Sequence, residues 1–249
     1  MSGGVDSSVA AAVLKERGYE VIGVTMRLWD GENINGCVAE STCCSLSAVE
    51  DARRVCDRLG IEYHVLDFRK EFSEAVIDYF VGEYINGRTP NPCIACNKFL
   101  KFDAMAKKAH LLDAKYIATG HYARVEKSED GTRFLLKRAA SYAKDQTYAL
   151  YSLTQKQLSE TLMPLGDFPG KDAVRAYADR LGLVTAKKPD SQEICFVPDN
   201  DYAAFIKRRI GSLPEEGNFV DLEGNILGRH KGIINYTVGQ RKGLGIAFG

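Results

Sequence analysis

The 249-residue chain reads as an α/β protein, a doubly wound, mostly parallel sheet over residues 1–200 followed by a partial small β-rich domain over 201–249. Three observations predict this. Apolar strand-like runs alternate with helix-like stretches across short connections, the pattern of parallel strands joined by right-handed crossovers. A glycine-rich turn, Ser2-Gly3-Gly4-Val5-Asp6-Ser7-Ser8, runs straight into the helix-like Val9-Ala10-Ala11-Ala12-Val13-Leu14-Lys15. From Asp199 the character changes: one helix precedes a Gly-rich strand-and-turn segment, which puts a boundary near residue 200.

In chain order, Gly18 fits the C-terminal cap of the first helix, and Tyr19 to Met26 reads as a buried strand. Ser47 opens a helix whose apolar positions Ala48, Ala52, Val55, Cys56 and Leu59 follow helical spacing up to Gly60. Ile61 to Phe68 reads as a strand and Glu71 to Ile85 as a helix. The stretch Asn86 to Asn97 carries Pro90, Pro92, Cys93 and Cys96 and is expected to be neither regular helix nor central strand. Phe102 to Ala114 reads as a helix, Lys115 to Thr119 as a strand, and Asp130-Gly131 as the turn of a hairpin. The polar Lys144-Asp145-Gln146 precedes a stretch expected to be helical to about Met163. Val174, Tyr177, Ala178 and Leu181 share a helix face, Ile194 to Val197 is a short apolar run bearing Cys195, and Tyr202 to Ile210 is the last helix.

A hydrophobic content of 45% supports a buried core, and no apolar run approaches the roughly 20 residues of a membrane span. With no charged-then-apolar leader, the expected location is cytoplasmic. Seven cysteines, an odd number, point to metal or thiol chemistry more than to a disulfide framework. The 33 basic residues balance 33 acidic ones, yet local basic clusters such as Lys207-Arg208-Arg209 leave a nucleic-acid partner open.

Adjacent glycines let the backbone approach an anion, and the helix start behind them aims N–H groups and a positive dipole end at the same spot. This is a phosphate cradle. It is not a Walker loop, because the only Gly-Lys in a loop context, Gly170-Lys171, is followed by Asp172. The plainer alternative is a glycine turn with Ser7 or Ser8 capping an ordinary helix.

The loop Ser2 to Ser7 resembles the PP-loop of ATP pyrophosphatases. With Asn91-Pro92-Cys93-Ile94-Ala95-Cys96-Asn97-Lys98, Ala118-Thr119-Gly120-His121-Tyr122, Lys144-Asp145-Gln146-Thr147-Tyr148 and Asp190-Ser191-Gln192-Glu193-Ile194-Cys195-Phe196, the chain closely resembles the tRNA-specific 2-thiouridylases. The resemblance implies an ATP-dependent transferase that replaces oxygen by sulfur at C2 of the wobble uridine of tRNA, through an adenylated intermediate. It implies ATP with Mg2+, a tRNA partner, a persulfide donor such as a cysteine desulfurase or relay protein, and a monomer. By motif position Cys96 is similar to the family's nucleophile and Cys195 to its persulfide carrier, a pair that can close a disulfide. Met1, Ser2, Gly3, Gly4, Val5, Asp6, Ser7 and Ser8 with Met26 and Gly120 are similar to the ATP-binding positions. Asn91, Pro92 and Cys93 are similar to the segment meeting the target base, and Lys144, Asp145 and Gln146, with His121, to residues meeting tRNA. Gln146 has a donor and an acceptor with which to read a flipped uridine.

Three departures stand out. Cys93 occupies a place where the familiar motif has Asp, the strand expected before the loop is not in the sequence, and the family's C-terminal β-barrel is not either. The extra thiol opens the alternative that Cys93, Cys96 and Cys195 hold a 4Fe–4S cluster. A zinc knuckle of Cys93 and Cys96 with Cys37, Cys43 or Cys44 is another. An iron–sulfur or zinc module that binds tRNA without modifying it, or another PP-loop ligase or sulfurtransferase, are the competing functions.

Overall fold

A computed structural model describes residues 1–29, 46–190, 194–197 and 199–246. Cys37, Cys43, Cys44, Ser191, Gln192 and Glu193, and with them the zinc alternative, lie outside the described residues.

Helix α1 (Val5–Glu16) leads into β1 (Ile22–Arg27), then α2 (Leu46–Leu59) and β2 (Glu62–Asp67), which pairs with β1 in parallel from Ile22↔Glu62 to Arg27↔Asp67. A continuous helical stretch follows, α3, built from Arg69–Phe72, the wider turns of Ser73–Ile77, and Asp78–Ile85. The next, α4, comprises Pro92–Ala95, the wider turns of Cys96–Ala104, and Met105–His110.

The start of α4 corrects the expectation that residues 86–97 carry no regular helix. Pro92 sits at the first helical position, where its missing N–H would have had no partner anyway. Asn91 Oδ1 accepts the N–H groups of Cys93 and Ile94 at 3.0 and 3.4 Å, which caps the turn.

Strands β3 (Ile117–Ala118) and β6 (Thr161–Leu162) form a second parallel pair, and β4 (Ala123–Lys127) and β5 (Phe134–Arg138) the hairpin anticipated at Asp130-Gly131. Between β5 and β6 the expected long helix is replaced by tight turns at Tyr142–Lys144 and Thr147–Ala149 and the short α5 (Gln155–Ser159). The side chains of Asp145 and Gln146 bond backbone groups at the ends of the hairpin, which ties the chain into turns there instead of a helix. Then come α6 (Lys171–Arg180), α7 (Tyr202–Ile210) capped by Asp201 and by Gly211 in the left-handed region, and the antiparallel pair β7 (Gly217–Val220) and β8 (Ile226–His230). The Ile194 to Val197 run is a turn.

Two cores position the site. Val5, Val9 and Val13 of α1 pack with Val55 of α2 and with Val174 and Ala178 of α6. Phe68, Phe72 and Phe80 pack with Leu100 of α4, with Phe196, and with Phe205 and Ile206 of α7, while Met26 and Leu66 of the β1–β2 pair lie against this second core. The N-terminal residues run beside β1: the Met1 ammonium donates to Val24 O, and Thr25 Oγ1 donates to Met1 O at 2.7 Å.

Candidate active site

The turn before α1 is shaped from within. Gly3 has φ +65°, and a Cβ there would stand 2.3 Å from Ala48 O, so neither its conformation nor its space admits another residue. Ser7 Oγ accepts the Ser2 N–H at 3.1 Å and donates to Gly4 O at 3.1 Å; the buried Ser8 hydroxyl also donates to Gly4 O, at 2.9 Å. Thr185 Oγ1 in turn donates to Ser8 Oγ at 3.0 Å. Gly4 is the N-cap and no side chain caps α1, so the first N–H groups of the helix are left to a ligand or water. Gly120, just past β3, closes the approach: a Cβ would lie 2.7 Å from the Asp6 carbonyl carbon and 2.9 Å from Ser7 N. Val5 points into the core, so only its backbone can face a ligand. Met26 lies half-buried against the second core.

Asp6, the next residue, is the hub of a charge cluster that no local motif announces. Its Oδ1 accepts from the Tyr122 hydroxyl at 2.9 Å and its Oδ2 from Lys171 Nζ at 2.8 Å. Lys171 also reaches Asp190 Oδ1 at 2.6 Å, which Arg175 meets at 3.2 Å, while Lys144 lies 3.7 Å from Asp190 Oδ2. Burial, and then the Asp6 carboxylate, raise the Tyr122 phenol far above its usual range, so it stays a donor. Partial burial pushes the Asp190 carboxyl up, but Lys171, Lys144 and Arg175 outweigh it and hold it below the usual carboxylate range.

The cysteines occupy different settings. Cys56 is fully buried on α2, and burial raises its thiol to about 11, the behaviour of a core residue. Cys93, in the first turn of α4, is exposed, whereas Cys96 is half-buried. Cys195, from the turn at residues 194–197, is half-buried as well, and both it and Cys96 lie against the second core. Among the described residues no group of three or more His, Cys, Asp or Glu side chains is placed to hold a metal ion. The three cysteines proposed for a 4Fe–4S cluster therefore do not fit one as they stand, since a cluster needs thiolates converging on it.

The residues similar to tRNA contacts are largely spent on the protein's own backbone. Asn91 is the helix cap described above. Asp145 accepts from Ala139 N–H at 2.9 Å and from the Thr147 hydroxyl at 2.5 Å, and Gln146 Oε1 accepts from Tyr122 N–H at 3.0 Å. Gln146 thus has one of its two acceptor positions engaged. His121 Nδ1 lies 2.8 Å from Thr119 Oγ1, and burial, with the nearby Lys101, keeps its imidazole well below the ordinary 6.5.

Two family descriptions match: "tRNA methyl transferase HUP domain" over residues 1–199 and "tRNA methyl transferase PRC-barrel domain" over 203–249. The tRNA-specific 2-thiouridylase MnmA of Clostridioides difficile (strain 630) is 60% identical across all of this chain, which spans 68% of that protein. The chain belongs to the tRNA-specific 2-thiouridylase family. The namesake from Lachnoclostridium phytofermentans is also 60% identical over the full chain and 69% of its own length. A solved U34-tRNA thiolase NcsA from Methanococcus maripaludis, with its 4Fe–4S cluster, aligns at 18% identity and TM-score 0.45 over 91% of this chain and 74% of that one. Among the described residues no helix is long and apolar enough to cross a membrane.

In this family member, Lys171 and Arg175 are the site residues that motif reading missed. The signal is faint: in the sequence Gly170-Lys171 reads only as a failed Walker loop. Its real context is the N-terminus of α6, which packs on α1 and so delivers the ammonium to Asp6.

Proposed function

We propose that the chain is a tRNA-uridine 2-sulfurtransferase that thiolates C2 of the wobble uridine at the expense of ATP. The uncapped, glycine-tight turn before α1 carries the reading, because its N–H groups and the surrounding Lys171, Arg175 and Lys144 suit the phosphates of ATP, while the Asp6 carboxylate would be the oxygen donor for their Mg2+. Uracil O2 attacks the α-phosphorus, the α–β anhydride bond breaks, and pyrophosphate departs. The terminal sulfur of a persulfide on Cys195 then attacks C2, the C2–O bond breaks, and AMP leaves. Cys96 thiolate attacks the Cys195 sulfur of the adduct, leaving the delivered sulfur on C2 and forming a Cys96–Cys195 disulfide that an external thiol reduces.

The family descriptions carry the words methyl transferase. A methyl transfer would use neither a pyrophosphate-type loop nor a pair of half-buried thiols, so sulfur transfer accounts for more of the residues present. The persulfide comes from a cysteine desulfurase or a relay protein, and cytoplasm, where tRNA and ATP meet, is the proposed location.

The test measures pyrophosphate released on adding tRNA, together with mass spectrometry of the wobble nucleoside. Cys96→Ser and Cys195→Ser are expected to release pyrophosphate yet leave uridine unthiolated. Thiolation persisting in both variants would remove the relay; no tRNA-dependent pyrophosphate from the unaltered chain would remove the function.

A further inference from the structure

The turn between β5 and α5 hides its polar motif and shows its aromatic rings. Asp145 and Gln146 are bonded inward, to Ala139 and Tyr122, and Ala149 and Leu150 are buried. The rings between and beside these anchors face solvent: Tyr142 is 78% exposed, Tyr148 63% and Tyr151 72%. Isolated exposed tyrosines are ordinary, but here three fall within ten residues, Tyr142 and Tyr148 on two tight turns and Tyr151 two residues beyond the second.

Its charge matches a polyanion. The Arg138 guanidinium lies 5.3 Å from the Tyr142 ring centroid, Lys144 follows on the same turn, and the one carboxylate of the segment is turned in. The buried Asn97 amide donates to Ala149 O at 3.0 Å, which fastens this turn to the helix that carries Cys96. Flat, exposed rings beside guanidinium and ammonium groups are what unpaired bases stack on, whereas a paired stem keeps its base faces covered.

We propose that Tyr142, Tyr148 and Tyr151 form a stacking platform for the unpaired anticodon-loop bases that flank the uridine to be thiolated. This rests on the sulfurtransferase reading. The motif residues Asp145 and Gln146 act on the RNA through the tyrosines, by setting the two turns.

The test uses the full chain, a labelled anticodon stem-loop RNA, and a fully paired duplex of equal length. The variant Tyr142→Ala/Tyr148→Ala/Tyr151→Ala is expected to bind the stem-loop at least about tenfold more weakly, the loss of roughly one stacked base. The matching Tyr→Phe variant should bind as the unaltered chain does, and duplex and ATP binding should not change in either. Should the triple alanine chain fail to fold, the three single variants are compared in the same way. Unchanged stem-loop binding, or equal loss for stem-loop and duplex, would overturn the platform. So would intact RNA binding with loss of sulfur uptake from the donor protein, which would make the face a protein interface. Thiolation by the unaltered chain, followed in parallel, shows whether the sulfurtransferase reading itself stands.

Discussion

Lys171 Nζ donates to Asp6 Oδ2 at 2.8 Å across 165 residues of sequence, and its side chain is only 12% exposed. The same ammonium holds Asp190, five residues before Cys195, so the glycine turn before α1 and the segment leading to the proposed persulfide carrier share one cation. Lys171→Met removes the charge between two carboxylates. The expected cost is roughly 1–3 kcal/mol in chemical denaturation, as for a paired group left unpartnered. A rise in the KM for ATP should accompany it, and Lys171→Arg should recover both in part. Unaltered stability and KM in the methionine variant would show that the cluster is incidental.

Ser7 shapes the turn through its bonds to Ser2 N–H and Gly4 O. Ser7→Ala, like Asp6→Ala, is expected to lower tRNA-dependent pyrophosphate release about tenfold or more, the equivalent of one lost hydrogen bond of about 1.4 kcal/mol. Affinity for tRNA should hold if, as proposed, the turn takes the phosphates of ATP. Equal loss of tRNA binding in both variants would contradict this.

Two glycines should behave oppositely. Gly120→Ala forces a Cβ to within 2.7 Å of Asp6 backbone and is expected to cost roughly 1–3 kcal/mol and most ATP-dependent activity. Gly82, inside α3 with nothing within 4 Å of its would-be Cβ, should gain about 0.4–1 kcal/mol as Gly82→Ala. Melting temperatures moving in the same direction would refute the contrast.

His121 predicts an acid-side loss of stability. Its folded-state imidazole stays neutral well below 6.5, while the unfolded chain takes up a proton near 6.5, so below that pH the unfolded state binds more protons. Stability therefore rises with pH through this window and falls as the pH drops below about 6.5. Urea midpoints of the unaltered chain and of His121→Asn, compared between about pH 5 and 8, should diverge only on the acid side. Parallel profiles would exclude His121 as the cause.

Cys93 is exposed and belongs to no metal-holding group among the described residues. Cys93→Ala is expected to retain thiolation, and anaerobically purified protein to work without iron. About four irons per chain, lost together with activity in Cys93→Ala, would instead assign the sulfur chemistry to a cluster.

Much of the frame was legible because its signals are local. The helix faces of α1, α2 and α7, the β1 and β2 runs, and the Asp130-Gly131 turn each follow from spacing or from turn chemistry within a few residues. The helix start at Pro92 is not legible in the sequence because proline counts against a helix everywhere except its first turn. The turns at Asp145 and Gln146 depend on Ala139, six residues from Asp145, and on Tyr122, 24 residues from Gln146, and the Asp6–Lys171–Asp190 link on packing of α1 against α6. Such bonds leave no periodic trace. The thiols of Cys96 and Cys195 stand out by motif, but whether the side-chain oxygens of Asn91 and Gln146 face RNA or backbone is a matter of which N–H donor lies nearest in space.

Phe196, next to Cys195, has its ring 5.6 Å from that of Phe72, 5.2 Å from Phe80 and 5.2 Å from Phe205. The matched segments 1–199 and 203–249 thus meet in one aromatic knot, with α7 supplying a wall of it. Inheritance can treat these segments as separable, but the knot cannot. A chimera joining the first segment of one relative to the second of another must carry Phe72, Phe80, Phe196 and Phe205 as a matched set, or the turn that aims Cys195 loses its backing.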